Sequence, residues 1–185
     1  LTEESAPEGY KTAESITFTG GVNGKVTVNG KEVEKVIMTD ELAERDVEIS
    51  KVEAAGGKEL AGAKLTITDE SGKEIASWIS GKEKADQNED GSAKAHKVKL
   101  TAGTYTLTEE SAPEGYKTAE SITFTVSVNG KVTVNGKEVD KVIMTDEPIS
   151  VSIKKTDIVD GKELAGAKLQ ILDKDKNVAT NIKEI

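Results

Sequence analysis

A long internal repeat constrains this chain more than any other feature. Residues 1–41 match residues 107–147 at 38 of 41 positions. Both copies read LTEESAPEGYKTAESITFT, then VNGKVTVNGKEV, then KVIMTDE. Residues 47–65 match residues 151–169 at 12 of 19 positions. An offset near one hundred residues is too long for a solenoid unit. It suits one immunoglobulin-like sandwich domain. Residues 1–43 therefore read as the back half of one unit, 47–148 as a complete unit, and 149–185 as the front part of a third. The sequence reads as a window on a tandem array. The links between units are short, which limits bending.

Composition narrows the function. The chain has no cysteine, so disulfides and thiolate-built metal sites are excluded. No stretch approaches the ~20 apolar residues of a membrane span, so no membrane insertion is expected. With 34 acidic against 25 basic side chains, the net charge is −9. Nucleic acid is a poor partner for such a surface. Apolar residues make up only 35% of the chain. A core that lean needs another source of stability.

Within the complete unit the signals are β. Short runs rich in Val, Ile and Thr cover 47–52, 64–68, 75–80, 97–100, 104–109, 122–128, 131–134 and 142–145. Turn dipeptides separate them, among them Asn129-Gly130 and Asn135-Gly136, which suit tight hairpins. Regular short strands without a helical period predict an all-β, Greek-key β-sandwich. The polar stretch 81–95 reads as a mobile surface loop.

Side chains alternate faces along a strand. Lys51 follows Val47 and Ile49 on one face, Glu109 follows Tyr105 and Leu107, and Asp146 follows Val142 and Met144. A lysine and two acids thus fall in apolar phase on three strands. Two readings fit. Each residue ends its apolar run, so the group can be an ordinary strand-end salt bridge of little worth. Alternatively the three are buried together. Loss of hydration favours neutral forms, a free amine and a protonated acid. Held in contact, these can condense to an amide, with a second carboxyl moving the protons.

The segments around these residues resemble a known family. They are Ile49-Ser50-Lys51 followed by Gly57-Lys58-Glu59-Leu60-Ala61-Gly62-Ala63, then Tyr105-Thr106-Leu107-Thr108-Glu109 followed by Ala112-Pro113-Glu114-Gly115-Tyr116, then Val142-Ile143-Met144-Thr145-Asp146. In this order they resemble the B-type repeats of collagen-binding adhesins (CnaB, prealbumin-like) of Gram-positive surface proteins. They are nearest to the parent domain of the SpyTag/SpyCatcher pair, which has similar segments at 57–63, 77–80 and 132–137. The resemblance implies a spontaneous isopeptide bond between Lys51 and Asp146, assisted by Glu109. An aspartate acceptor implies loss of water. Two departures stand out: loop 81–95 is longer, and Glu110 stands beside Glu109. Alternation turns Glu110 outward. The partial units carry matching pieces, Glu3 and Asp40 in 1–43 and Lys155 in 151–185.

The expected function is that of a structural stalk domain in an extracellular, cell-wall-anchored adhesin. The chemistry is a single self-modifying turnover, so no enzyme is expected, and no cofactor or metal. Expected partners are neighbouring repeats, with head-to-tail association of the partial repeats as a further possibility. The alternative function is a module that binds a host matrix protein, with loop 81–95 as its candidate surface. Other signals are weaker. Residues 86–91 start like a calcium loop, but its twelfth position is Lys97. His96, the single histidine, reads as an incidental surface residue. Glu109 and Asp146 also suit a glycosidase pair, but the lysine in the same phase argues against it.

Overall fold

The computed structural model describes residues 1–172 and 174–179. The chain divides into two compact units, Leu1–Ile149 and Ser150–Ile185.

Two sheets carry the centre of the first unit. One has three strands: β6 (Arg45–Glu53) lies between β14 (Val142–Asp146) and β9 (His96–Leu100). The other has six, in the order β13 (Lys137–Val139), β12 (Val132–Val134), β11 (Ile122–Val126), β10 (Gly103–Ser111), β7 (Lys64–Asp69), β8 (Glu74–Ile79). Strand alternation sorts their residues. Val142, Met144 and Asp146 are buried, whereas Ile143 and Thr145 are exposed. The buried faces of both sheets join in one core that includes Val47, Ile49, Leu65, Leu107, Phe124 and Met144. The arrangement is a β-sandwich.

All eight runs read from the sequence are strands, with ends shifted by up to two residues. Strand β13 was not anticipated. It is a short, polar return strand whose hairpin depends on Asn135-Gly136. Both residues have positive φ, 50° and 73°, as the tight turn requires. Asn129-Gly130 works differently: Gly130 alone has positive φ, and the turn closes by Ser127 N–H donating to Lys131 O at 2.9 Å.

Loop 81–95 is more structured than its polarity predicts. It holds a short 3₁₀ turn, Lys84–Asp86, and a bridge between Gln87 and Ala93. The Gln87 amide donates to Gly81 O at 2.7 Å. Buried Asp86 bonds the His96 ring through Nδ1 at 2.8 Å, and that ring stacks on Trp78 with centroids 4.3 Å apart. His96 is therefore a half-buried anchor for the loop. Composition conceals this, because the bonding groups pair with each other.

The back-half repeat, residues 1–43, also forms strands. These are β1 (Tyr10–Lys11) paired with β5 (Glu41–Leu42), and a meander of β2 (Phe18–Gly20), β3 (Val26–Val28) and β4 (Lys31–Val33). Gly9 packs against Val128 so closely that a Cβ there would sit 2.7 Å from the valine Cβ. In the second unit, residues 153–164 form a small turn with a Thr156–Glu163 bridge.

Candidate functional site

The parallel pairing of β6 with β14 builds the site. It sets Met144 opposite Lys51 and Asp146 opposite Glu53. Lys51 and Asp146 therefore emerge on the same face, from neighbouring strands near the two ends of the domain. Glu109 comes from the facing sheet, on β10. Register slips between Glu109 and Ser111 where β10 pairs with β7. The irregularity lies just beyond Glu109, whose side chain faces inward by alternation with Tyr105 and Leu107.

Lys51, Glu109 and Asp146 are brought together and buried, at 2%, 4% and 0% exposure. Lys51 Nζ donates to Asp146 Oδ1 and lies 3.0 Å from Glu109 Oε1. Ala119 N–H donates to Glu109 Oε2 at 2.7 Å. Glu109 Oε1 and Asp146 Oδ2 are buried with no hydrogen-bond donor. Burial pushes the Asp146 carboxyl above the usual carboxylate range. Lys51 opposes that shift, and both the charge of Glu109 and its hydrogen bond add to it.

Glu110 points outward, as alternation predicts. It accepts from Thr66 Oγ1 at 2.8 Å and pairs with Lys64 at 2.5 Å, on half-exposed surface. The strand-end salt bridge weighed from the sequence does not describe the main cluster, because none of its three members reaches solvent.

Sequence reasoning missed two supports. Glu59 accepts from Ser50 Oγ at 2.6 Å and from Lys51 N–H at 3.1 Å. Leu60 N–H donates to Lys51 O at 2.7 Å. The lysine's backbone is thus held on both sides. Ala119 is the other support, brought to Glu109 by the turn at Pro113–Tyr116, with Lys117 N–H bonded to Glu147 O. The Ala-Pro-Glu-Gly-Tyr run signalled that turn, but nothing signalled its target.

The other sequence-predicted residues belong to the partial repeats. In residues 1–43, Glu3 accepts from Ala13 N–H at 2.7 Å, the same bond that Glu109 makes. Asp40 is also pushed above the usual range, first by loss of hydration and then by Glu3. Lys155 lies in the second unit, where its carbonyl accepts from Leu164 N–H at 2.8 Å.

The fold and its buried cluster define a prealbumin-like β-sandwich module. The family model described as SpaA, prealbumin-like fold domain, matches residues 45–140, and the chain belongs to that family. Domains of this family are structural modules and not enzymes. Comparison with curated proteins yields no match. Among solved structures, the chain is similar to the pilus adhesin SpaC from Lactobacillus rhamnosus GG, at 20% identity and TM-score 0.46, over 82% of this chain and 25% of that one. It is similar to the Bacillus anthracis TIE protein, at 29% identity and TM-score 0.48, over 80% and 24%. It is also similar to the pilus-presented adhesin Spy0125 (Cpa), at 32% identity and TM-score 0.39, over 53% and 21%. The chain spans about a quarter of the length of these three proteins.

Proposed function

We propose that residues 47–148 form one complete stalk domain of a Gram-positive cell-surface adhesin, locked by an amide between Lys51 and Asp146. The observation that carries this reading is the burial of one amine against two carboxyls across the domain's first and last strands. The kinship to collagen-adhesin B-type repeats, and to the SpyTag/SpyCatcher parent domain, belongs to the same reading. So do cell-wall anchoring and contact with neighbouring repeats.

The chemistry balances within the cluster. The Lys51 amine passes a proton to the acid pair and becomes nucleophilic. Its nitrogen bonds to Asp146 Cγ, which is electrophilic because the acid is protonated. Glu109 takes the second amine proton and returns it to the departing hydroxyl, which leaves as water. Burial supplies proximity and removes competing solvent.

Such a bond suits a stalk. Lys51 and Asp146 are 95 residues apart in sequence, on adjacent strands at the entry and exit of the domain. Pulling force runs through the cross-link and bypasses most of the fold. Closing a loop of that length stabilises by about 4–5 kcal/mol in the chain-entropy model of disulfides. An amide, unlike a disulfide, has no exchange route with thiols.

Intact mass spectrometry of the denatured chain tests this. The expected mass is the sequence mass less one water. Lys51→Ala and Asp146→Ala restore the full mass and lower the melting temperature. Each also strands a buried charge, a cost of about 3–5 kcal/mol. Glu109→Gln slows or stops the reaction in a folded domain. Full mass in a well-folded wild type refutes the bond.

A further inference from the structure

Residues 117–121 run from the bridge of Tyr116 with Pro148 to the start of β11, and they belong to no strand. This strap is tied to both acids of the buried cluster, directly to one and one residue away from the other. Ala119 N–H donates to Glu109 Oε2 at 2.7 Å, and Glu109 stands on the six-stranded sheet. Lys117 N–H donates to Glu147 O at 2.9 Å, and Lys117 Nζ donates to Glu147 Oε2 at 3.0 Å. Glu147 directly follows Asp146, the last residue of β14 in the three-stranded sheet. The strap thus links the two carboxyls across the gap between the sheets.

Its tethers decide where it sits. A groove of about 520 Å³ runs along it, with Lys117, Ala119, Ile122, Met144, Thr145 and Glu147 in its lining. On that side the strap faces open space, so packing does not fix it there. At its far end Ser121 Oγ meets Thr108 Oγ1 at 3.0 Å. The bond to the glutamate arises from nearby sequence, since Ala13 N–H makes the same bond to Glu3 at 2.7 Å.

A backbone N–H donates and cannot accept. While it holds Oε2 of Glu109, that oxygen stays an acceptor, and a proton taken up by the carboxyl rides on Oε1. Oε1 is the oxygen 3.0 Å from Lys51 Nζ, inside the cluster. The proton is then aimed at the hydroxyl that leaves Asp146. A carboxyl without this donor is free to turn its proton away.

We propose that Lys117 and Glu147 are positioning residues for amide formation, acting through the Ala119 N–H to keep the proton shuttle of Glu109 aimed at Asp146. This rests on the chemistry assigned above to Lys51 and Asp146. The strap adds no reactant: the C–N bond forms at Asp146 Cγ, the C–O bond breaks, and water leaves as before.

The test is the rate of water loss in the full chain made by cell-free synthesis, sampled into denaturant and read by intact mass. Replacing Ala119 by its α-hydroxy acid exchanges the N–H for an ester oxygen and adds no bulk. It removes a hydrogen bond to a charged group, and water loss slows by roughly ten- to a hundredfold. Lys117→Met and Glu147→Gln each slow it by about two- to fivefold, the worth of an exposed ion pair. The double exchange Lys117→Glu with Glu147→Lys restores the rate. The cross-linked products of the single variants melt with the wild type, so their defect is in the reaction and not in the fold. Both clip side chains are more than half exposed, so these variants keep the test readable if the ester form fails to fold. A folded ester form that reacts at the wild-type rate overturns the proposal. So do single variants with unchanged rates, or an exchanged pair no faster than they are. In those cases a wild type that loses its water leaves the stalk chemistry standing, whereas a wild type at full mass overturns that chemistry itself.

Discussion

Residues 1–41 and 107–147 differ at three positions, Gly20 for Val126, Gly21 for Ser127 and Glu34 for Asp140, yet they end in different states. What is local is duplicated. The hairpin ion pairs Lys25–Glu32 and Lys131–Glu138 both measure 2.8 Å. Thr2 and Ser15 meet through their hydroxyls at 3.0 Å, as do Thr108 and Ser121. Ala43 N–H donates to Gly9 O just as Ile149 N–H donates to Gly115 O. What is long-range is not duplicated. Val142–Asp146 is a strand because β6 lies beside it, whereas residues 36–40 have no such neighbour and form no strand. Turn chemistry and short hairpins are thus written in these 41 residues. Core burial and strand status are conferred by the front half of a domain.

The largest expected effect comes from giving the first copy what the second has. Placing a copy of residues 47–106 directly before Leu1 supplies β6, β7, β8 and β9 equivalents and a lysine. Residues 1–43 then become the back half of a second complete domain. Amide hydrogen exchange in 1–43 slows from local opening toward the global stability of a domain, a change on the order of 5–15 kcal/mol. The chain also loses a second water. If 1–43 stays as open as before, folded state does not follow from the presence of the front half.

A smaller effect concerns Glu59. Its carboxylate fixes Ser50 and the Lys51 N–H, while the lysine side chain reaches across to Asp146. Glu59→Ala removes charge-assisted bonds worth about 1.5–3 kcal/mol. Part of that loss falls on lysine placement, so bond formation slows by about tenfold in a time course of mass loss, while the final mass is unchanged. The second unit tests the idea in its natural variation. Lys154 stands there where the first front half has Ser50, and it pairs with Glu163 at 3.4 Å. An unchanged rate in Glu59→Ala makes that carboxylate a fold element only.

The contrast between the two copies also explains what was legible in the sequence. Strand positions and faces were legible because alternation is local. The phase of Lys51, Glu109 and Asp146 was legible for the same reason, but phase alone left both a strand-end salt bridge and a buried cluster open, since each residue ends its apolar run. Their meeting was not legible from phase alone, because it depends on the parallel pairing of β6 with β14 across most of the domain. The bulge beside Glu110 and the reach of Ala119 to Glu109 depend on neighbouring strands and returning chain in the same way. Loop 81–95 misled because polar residues that satisfy one another look, by composition, like polar residues in water. Asp86, His96 and Gln87 are of the first kind.

The smallest expected effect lies in the titration of Asp40, and it separates local from long-range influence most finely. Loss of hydration raises its carboxyl first and Glu3 second, by charge and by hydrogen bond. The Glu3 contribution arises within residues 1–43, and no lysine is among the groups that act on Asp40. The folded form of this segment therefore holds the Asp40 proton more tightly than the unfolded chain does. Its contribution to local stability is full below the ordinary aspartate range and is lost as pH rises through the raised midpoint. Carbon-detected NMR of the carboxyl should show a midpoint above that of an exposed aspartate. Glu3→Gln should bring it part of the way down, leaving the share due to hydration. Asp146 differs in kind, because Lys51 pulls its proton away while burial and Glu109 hold it. A midpoint for Asp40 at the ordinary value would mean that the acid pair needs the front half even to assemble. The division between local and conferred structure would then run through the Glu3–Asp40 pair rather than beyond it.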